Sequence, residues 1–356
     1  MGIVRTLLAL CVVCAHMSEG FRFFDAQYAV QCFYVISGFL ISLILTEQGA
    51  YRSARDFYIA RYLRLFPVYI VVAALSMAAL LILEDPQFWR IYTDDTPLWT
   101  RIWLGISNVV LFGQAQVLFF AQQGGEILFP ISYSLSETVL WRGLVNPPAW
   151  TLEIELLFYL IAPFVLRRKG LLFVLLGFSI GVRVLLWQLE LIWTDPWTYR
   201  FFPAELALFL FGAIAHQFLL PLYGRVFGSS QLKKLSVISV VLAVLLLFGF
   251  SSLYDLMGYR VVVGGLMLFV MTLPLLFQFQ NNNDIDKQVG DLSYPIYICH
   301  WVIVNSTGLI WGLDVFASPV IQVIGLLGVL GFAWGLDRLV AQPMERFRRQ
   351  FRQNMH

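Results

Sequence analysis

Charge is scarce in this chain. Only 13% of the 356 residues are Asp, Glu, Lys or Arg, about half the share of roughly 25% usual in a soluble domain, whereas 59% are hydrophobic and 16% aromatic. That balance excludes a single soluble globule. Polar linkers, Pro/Ser-rich boundaries, internal repeats and low-complexity tracts are also missing, and apolar runs recur from end to end, so the chain reads as one polytopic membrane domain. The 24 basic and 22 acidic residues nearly cancel, at +2, which leaves no basic face for nucleic acid and no acidic tail. The 4 cysteines, Cys11, Cys14, Cys32 and Cys299, all lie in apolar stretches and read as small hydrophobes. Cys11 and Cys14 have CxxC spacing but no second pair and no polar surroundings, so neither zinc nor redox chemistry is expected. The patterns GxxxxGK[ST], GxGxxG after a strand, HExxH and GxSxG are absent, and with them the support for nucleotide hydrolysis, dinucleotide redox chemistry, zinc proteolysis and α/β-hydrolase chemistry.

A helix needs about 20 apolar residues to cross a bilayer. Candidate spans lie at 3–20, 28–47, 65–84, 149–166, 170–190, 201–220, 235–254, 260–279, 292–312 and 318–341. A further stretch, 99–121, is ambiguous, because it carries Arg101, Asn108, Gln114 and Gln116 and runs into the segment Gln122 to Glu126. Short cytoplasmic loops carry the positive excess. Arg52, Arg55, Arg61 and Arg64 follow the second span; Arg167, Arg168 and Lys169 follow the fourth; Lys233 and Lys234 mark another loop, and Arg346, Arg348, Arg349 and Arg352 the tail. All these clusters share one side only if 99–121 does not cross fully. The expected architecture is therefore all-α and polytopic, with about 10 transmembrane helices and both termini cytoplasmic. Residues 1–345 form one integral-membrane domain and 346–356 a basic cytoplasmic tail, while 85–148 form an external or re-entrant excursion, which the acidic Glu84, Asp85, Asp94 and Asp95 suit. Arg5 and the apolar run after it have the outline of a secretory leader. No small-residue cleavage site follows and His16 interrupts the run, so the segment is expected to remain as the first span. Gly177 and Gly181, spaced as GxxxG, are expected to pack helices.

Ionisable groups within spans are costly and mark candidate sites. Arg5 and His16 stand 11 residues apart, about 16 Å and three turns of helix, and so share a face. With Arg5 at the cytoplasmic end, His16 falls in the outer half. In the fourth span Trp150, Thr151 and Glu155 enter from outside, which puts Glu155 at a depth comparable with His16. A carboxylate beside an imidazole fixes its tautomer and raises its basicity, as general-base chemistry requires. The plainer alternatives are a histidine satisfied between helices and a Glu155 paired with an arginine; Glu153, on another face, is assigned no chemistry. Ser37-Gly38, in the middle of the second span, admits close approach of a backbone or an extended ligand. Tyr297 and His300 share a face of the ninth span, where they can line a passage for a polar cofactor. Arg61 and Arg64, at i and i+3 ahead of Pro67, present two guanidinium forks suited to phosphate, or else obey the positive-inside rule and bind lipid headgroups. His216 and His356 are not expected to take part, and the sequon at Asn305 lies within a span.

In their order and spacing these residues resemble the acyltransferase 3 family of membrane O-acyltransferases, which in bacteria O-acylate cell-surface glycans. The resemblance rests on Arg5 and His16, the segment Phe33 to Phe39, and Arg61 and Arg64 before Pro67. It continues with Trp150, Thr151, Leu152, Glu155, Phe158 and Tyr159, and with Ser293, Tyr294, Ile296, Tyr297 and His300. Thr151 stands where serine is usual, and an Asp-Gly-Leu lead before the first arginine is missing. The resemblance implies the stand-alone form, in a bacterial inner membrane. It implies transfer of an acyl group, acetyl at family level, from cytoplasmic acyl-CoA to a hydroxyl of a cell-surface or lipid-linked glycan such as lipopolysaccharide O-antigen or exopolysaccharide. Acetyl-CoA would dock its phosphates at Arg61 and Arg64 and extend past Arg5, Ser37, Tyr297 and His300. His16 and Glu155 would be catalytic, with Glu155 orienting His16, and Trp150 and Thr151 would face the acceptor. No metal and no nucleic acid is implied. A transporter or flippase of glycan intermediates, with His16 and Glu155 as a proton relay, is the rival reading from another class, and a glycan polymerase a third.

Overall fold

The structure, a computed structural model, describes residues 1–17, 24–47, 51, 53–93, 95–131 and 138–354. Arg52, Asp94, His356 and the side chain of Arg352 lie outside the described residues. The helices are α1 (Gly2–Met17), α2 (Ala26–Thr46), α3 (Ala54–Ile82), α4 (Pro86–Ile91), α5 (Leu98–Val110), α6 (Gln114–Val117), α7 (Trp150–Val165) and α8 (Lys169–Gln188). There follow α9 (Phe202–Ile214), α10 (Leu220–Val226), α11 (Ser229–Met257), α12 (Tyr259–Asn281), α13 (Asp284–Asp291), α14 (Ser293–Trp311), α15 (Pro319–Leu336) and α16 (Gln342–Asn354). Each expected span overlaps a helix, with 201–220 running from α9 through a π turn into α10 and residues 18–20 of the first lying outside the described residues. Among the described residues, 8 helical stretches are long and apolar enough to cross a membrane by length and composition. The chain is an all-α polytopic membrane protein.

Local sequence sets the ends of these helices. Asp25 accepts from Gln27 N (2.8 Å), Ser53 from Asp56 N (3.1 Å) and Asp85 from Gln87 N (2.9 Å), each supplying an acceptor for an otherwise unpaired first-turn amide. At the start of α1 the acceptor comes from a distant element. The buried Asp286 carboxylate takes Gly2 N at 2.7 Å and Ile3 N at 2.9 Å, and Thr6 Oγ1 donates to Val289 O at 2.7 Å. These bonds place the start of α1 beside α13, so that α1 and α14 run in the same direction, side by side.

Burial sorts the helices into centre and periphery. About two thirds of the most apolar stretches of α2 and α7 is buried (67% and 72%), against 22% for α8 and α11, which turn most of their surface to lipid. The centre is closed by an approach of backbones. A Cβ on Gly38 would stand 1.9 Å from Phe209 O, and one on Gly212 would stand 1.9 Å from Val35 O, so α2 and α9 touch where each has no side chain. The small step expected at Ser37-Gly38 is therefore a helix contact. The expectation for Gly177 and Gly181 is corrected: a Cβ at either meets nothing within 4 Å, because α8 shows this face, with Phe173, Val174 and Phe178, to the outside.

The excursion resolves the ambiguity of 99–121. α5 has 13 residues, about 20 Å of helix, short of the roughly 30 Å hydrocarbon thickness. It stops at Leu111 (φ 70°), ahead of Gly113 (φ 98°). Its polar residues are internal ties rather than obstacles to insertion. Asn108 Nδ2 donates to Gly143 O (3.0 Å) and its Oδ1 accepts from Val145 N (2.8 Å), while Gln114 Nε2 donates to the Tyr69 hydroxyl (2.9 Å) of α3. Leu98, Ile102, Ile106 and Val109 form an exposed apolar face along α5, a lipid-facing arrangement. The all-α reading missed a small antiparallel sheet of β1 (Ala121–Gln123), β2 (Glu126–Leu128) and β3 (Thr138–Val139), in the order β2-β1-β3. Its strands are too short for a period-2 pattern to register.

Basic residues of three clusters, Arg61 and Arg64, Arg167, and Arg348 and Arg349, gather at one end. Arg167 Nε donates to Leu45 O (3.3 Å), and the neighbouring Ile44 lines a cavity with Arg61, Arg64, Arg348 and Arg349. The tail is not a free appendage, since α15 continues through a wide π turn (Asp337–Ala341) into α16, which packs against α3. Gly38→Val should destabilise the protein by about 1–3 kcal/mol through overpacking against backbone, seen as a lower heat-aggregation midpoint in detergent. Gly177→Ala should leave that midpoint unchanged.

Candidate functional site

The last turn of α1 carries His16. Its Nδ1 lies 2.8 Å from Val12 O; because a carbonyl only accepts, Nδ1 carries the proton in that contact. The ring sits 4.9 Å from that of His300 and edge-on to Trp301 at 5.9 Å. His300 is fully buried and its Nδ1 donates to Tyr297 O (2.6 Å), which leaves Nε2 without a hydrogen-bond partner among the described residues. A buried basic nitrogen with no partner next to an accessible imidazole is an arrangement for chemistry, since structural polar groups are normally paired.

Glu155 departs from expectation. Its carboxylate accepts from Ser37 Oγ (2.7 Å) and from the Tyr159 hydroxyl, and it lies within the field of Arg5 and Arg64. It therefore stands near the Arg5 end of α1 and not beside His16, and the proposed orientation of His16 by Glu155 is corrected. The reason lies at the entrance to α7. Residues 144–149, ending in a Pro147–Ala149 turn, are already buried, and Asn146 Nδ2 donates to Ile298 O (3.0 Å), so α7 begins deep in the protein, opposite the middle of α14. His300, one turn above Tyr297, takes the place beside His16.

The remaining residues join these two groups. The hydroxyls of Thr151 and Tyr297 are 3.0 Å apart, and both lie within hydrogen-bonding distance of Pro148 O (3.0 and 3.2 Å). The Tyr297 ring contacts Phe33 at 6.1 Å and His300 at 5.9 Å. Trp150 is buried beneath the Arg200 guanidinium, 4.4 Å from its ring, with Tyr199 at its edge. It therefore packs inside the protein, next to Thr151 of the central cavity. Glu153 caps a loop turn by accepting from Ala115 N (2.6 Å), and His216 is held between Ser42 and Glu47 at 3.1 Å each, so both are structural.

A central cavity of about 100 Å³ has Arg5, Ser37, Arg64, Thr151, Glu155 and Tyr297 among its lining residues. Arg5 and Arg64 also border a second, larger one of about 420 Å³ at the basic end, and Arg64 a third of about 260 Å³ with Arg61. Arg61 is 3% exposed, and its Nη2 donates to the Tyr51 hydroxyl (3.0 Å) while Nε and Nη1 have no hydrogen-bond partner among the described residues. Asp291, at the end of α13, borders the larger basic cavity too; burial pushes its carboxyl above the usual range, opposed by Arg5 and Arg64. Sequence reasoning gave no role to Tyr159, Asp291 or Glu345. The i, i+3, i+4 spacing of Glu345, Arg348 and Arg349 was the available signal for the last, and it was absorbed into a general basic tail.

The fold and cavities define a polytopic membrane protein with a basic mouth beside a central polar cavity, and a histidine pair in ring contact with Tyr297 at the border of that cavity. A family model for an acyltransferase domain matches residues 1–338, nearly the whole chain. The chain belongs to the acyltransferase 3 family of membrane acyltransferases. No curated protein and no solved structure matches it. His300→Phe keeps a ring beside His16 and removes both nitrogens; acyl-transfer turnover should fall by about 100-fold, and wild-type turnover would separate His300 from the site.

Proposed function

We propose that this protein transfers an acyl group, acetyl in the first instance, from cytoplasmic acyl-CoA to a hydroxyl of a glycan at the external face of a bacterial inner membrane. The observation that carries the reading is the placement of these polar groups. Among the described residues, Arg61 nitrogens without a hydrogen-bond partner lie at one end and His300 Nε2, also without one, at the other, with the central cavity of Arg5, Ser37, Glu155 and Tyr297 between them. In this reading ten helices cross, both termini are cytoplasmic, and the positive-inside rule puts the basic mouth on the cytoplasmic side.

The donor's phosphates meet the guanidinium groups at the mouth, where bidentate contacts suit them. Its slender arm then follows the central cavity. Arg5 and Glu155 hold opposite charges along that passage, and the Ser37, Tyr159 and Thr151 hydroxyls offer hydrogen bonds. At the other end the His16 Nε2 lone pair takes the proton of the acceptor hydroxyl while that oxygen attacks the thioester carbonyl. The carbon–sulfur bond breaks, the His16 imidazolium returns the proton to the departing sulfur, and the thiol leaves towards the cytoplasmic mouth. The alternative order, in which His16 first accepts the acyl group and then passes it on, uses the same placement. Glu155 keeps donor-site groups in position rather than sharing a proton with His16, which also removes the relay on which a transporter reading relied.

Comparing surface polysaccharide by mass spectrometry with and without the gene tests the activity: loss of one acetyl mass per repeat is expected, whereas altered chain length or loss of surface product would refute acylation. His16→Ala should abolish transfer at normal membrane levels. Arg64→Ala should raise the acyl-CoA concentration for half-maximal rate by about tenfold, the loss of one charge-assisted contact. Gln123→Cys, on the sheet of the excursion, should react with an impermeant thiol reagent in intact cells; labelling only after lysis would overturn the topology.

A further inference from the structure

Glu345, Arg348 and Arg349 of α16 stand over the basic mouth, and none of them has a part in the chemistry above. The cavity they share with Tyr51, Arg61 and Arg64 has four guanidinium groups and one carboxylate. Its cations are incompletely satisfied: among the described residues, Nε and Nη1 of Arg61 and Nη1 of Arg348 are buried with no hydrogen-bond partner. Arg348, with 16% of its side chain exposed, is held by Glu345, through Nη2 at 2.5 Å and Nε at 2.9 Å to one carboxylate oxygen, while Arg349 Nε reaches the other at 3.1 Å. Buried guanidinium groups are retained where an anion completes them, because an unpaired buried charge is costly. Glu345 is 36% exposed and belongs to the same helix as both its partners, so its carboxylate can leave by a side-chain rotation without unfolding α16. The turn feeding that helix is fixed separately, by Gln342 Nε2 donating to Asp337 Oδ2 at 2.7 Å.

We infer that α16 completes a phosphate-ester site, in which Arg348 joins Arg61 and Arg64 around the phosphate and Glu345 is a placeholder carboxylate that the phosphate displaces. The inference rests on the donor reading for the identity of the ligand, but the anion site is a claim of its own. A soluble phosphate ester and an anionic lipid headgroup share the recognised chemistry. The wide turn Asp337–Ala341 re-aims the chain so that residues on α16 face α3, which puts the site between two helices distant in sequence.

The test uses the full chain in phosphatidylcholine nanodiscs, with inorganic pyrophosphate and CoA titrated separately by calorimetry. Both should bind; Arg348→Gln should weaken each by about tenfold or more, and Glu345→Gln should tighten each severalfold, since the competing negative charge is gone. A gain in affinity cannot come from misfolding, so Glu345→Gln keeps the test decisive if Arg348→Gln is unstable. Unchanged affinity for pyrophosphate in both variants would overturn the role of α16 and, with CoA still bound, leave the donor reading standing. Arg348-dependent binding of pyrophosphate without binding of CoA would uphold the site and defeat the donor reading; failure of both probes would defeat both. Repeating the titration with phosphatidylglycerol in the discs identifies the source, because a headgroup ligand would compete with pyrophosphate and a soluble ester would not.

Discussion

The structure depends on how an apolar bundle keeps cationic groups inside it. Arg5 and Arg64 border the same central cavity, where solvation by water is reduced and uncompensated charge is expensive. Glu155 supplies the opposite charge, and its carboxylate is fixed by hydroxyl donors from α2 and from its own helix. One carboxylate thereby ties α7 to α2 and lies in the field of arginines from α1 and α3. The most buried spans, α2 and α7, are the ones that carry this arrangement, because only the interior of the bundle can hold polar groups away from lipid. The lipid-facing α8 and α11 are apolar and weakly constrained by comparison.

The same logic separates the two ends of the molecule. α1 is anchored at its start by Asp286 and ends at His16, so the rise of a helix sets the distance between the arginine-lined cavity and the histidine pair. The parallel run of α14 brings His300 to the same level, and the buried start of α7 places Thr151 against Tyr297 just below it. Charge and hydroxyls thus line the central cavity, and the imidazoles follow Tyr297 at its border.

Much of this was legible in the residues. The apolar runs marked the spans because the backbone of a membrane segment must satisfy its own hydrogen bonds, and Arg61, Arg64, Arg348 and Arg349 of two basic clusters line one cavity. Polar residues within spans pointed to Arg5, His16, Ser37, Glu155, Tyr297 and His300, and the structure gathers Arg5, Ser37, Glu155 and Tyr297 around the central cavity, with Tyr297 in ring contact with His300 and His300 with His16. Depth was misjudged for Glu155, since sequence gives position along a helix but not where that helix starts in the protein. Gly177 and Gly181 had the right spacing for a helix contact and no neighbour within 4 Å, whereas Gly38, marked by the Ser-Gly step, and Gly212, marked by nothing, each meet the backbone of the other helix.

The amino-acid order by itself therefore determined what each helix is and which face of it can bear a charge, because periodicity, caps and the cost of polar groups in hydrocarbon are local properties. Tertiary packing alone decided which charge meets which: that Glu155 serves Ser37 and Tyr159, that His300 serves His16, and that α16 returns over Arg61. Electrostatic and hydrogen-bond partners are chosen by distances of a few ångströms between segments far apart in the chain, and no pattern within a single segment encodes such a distance.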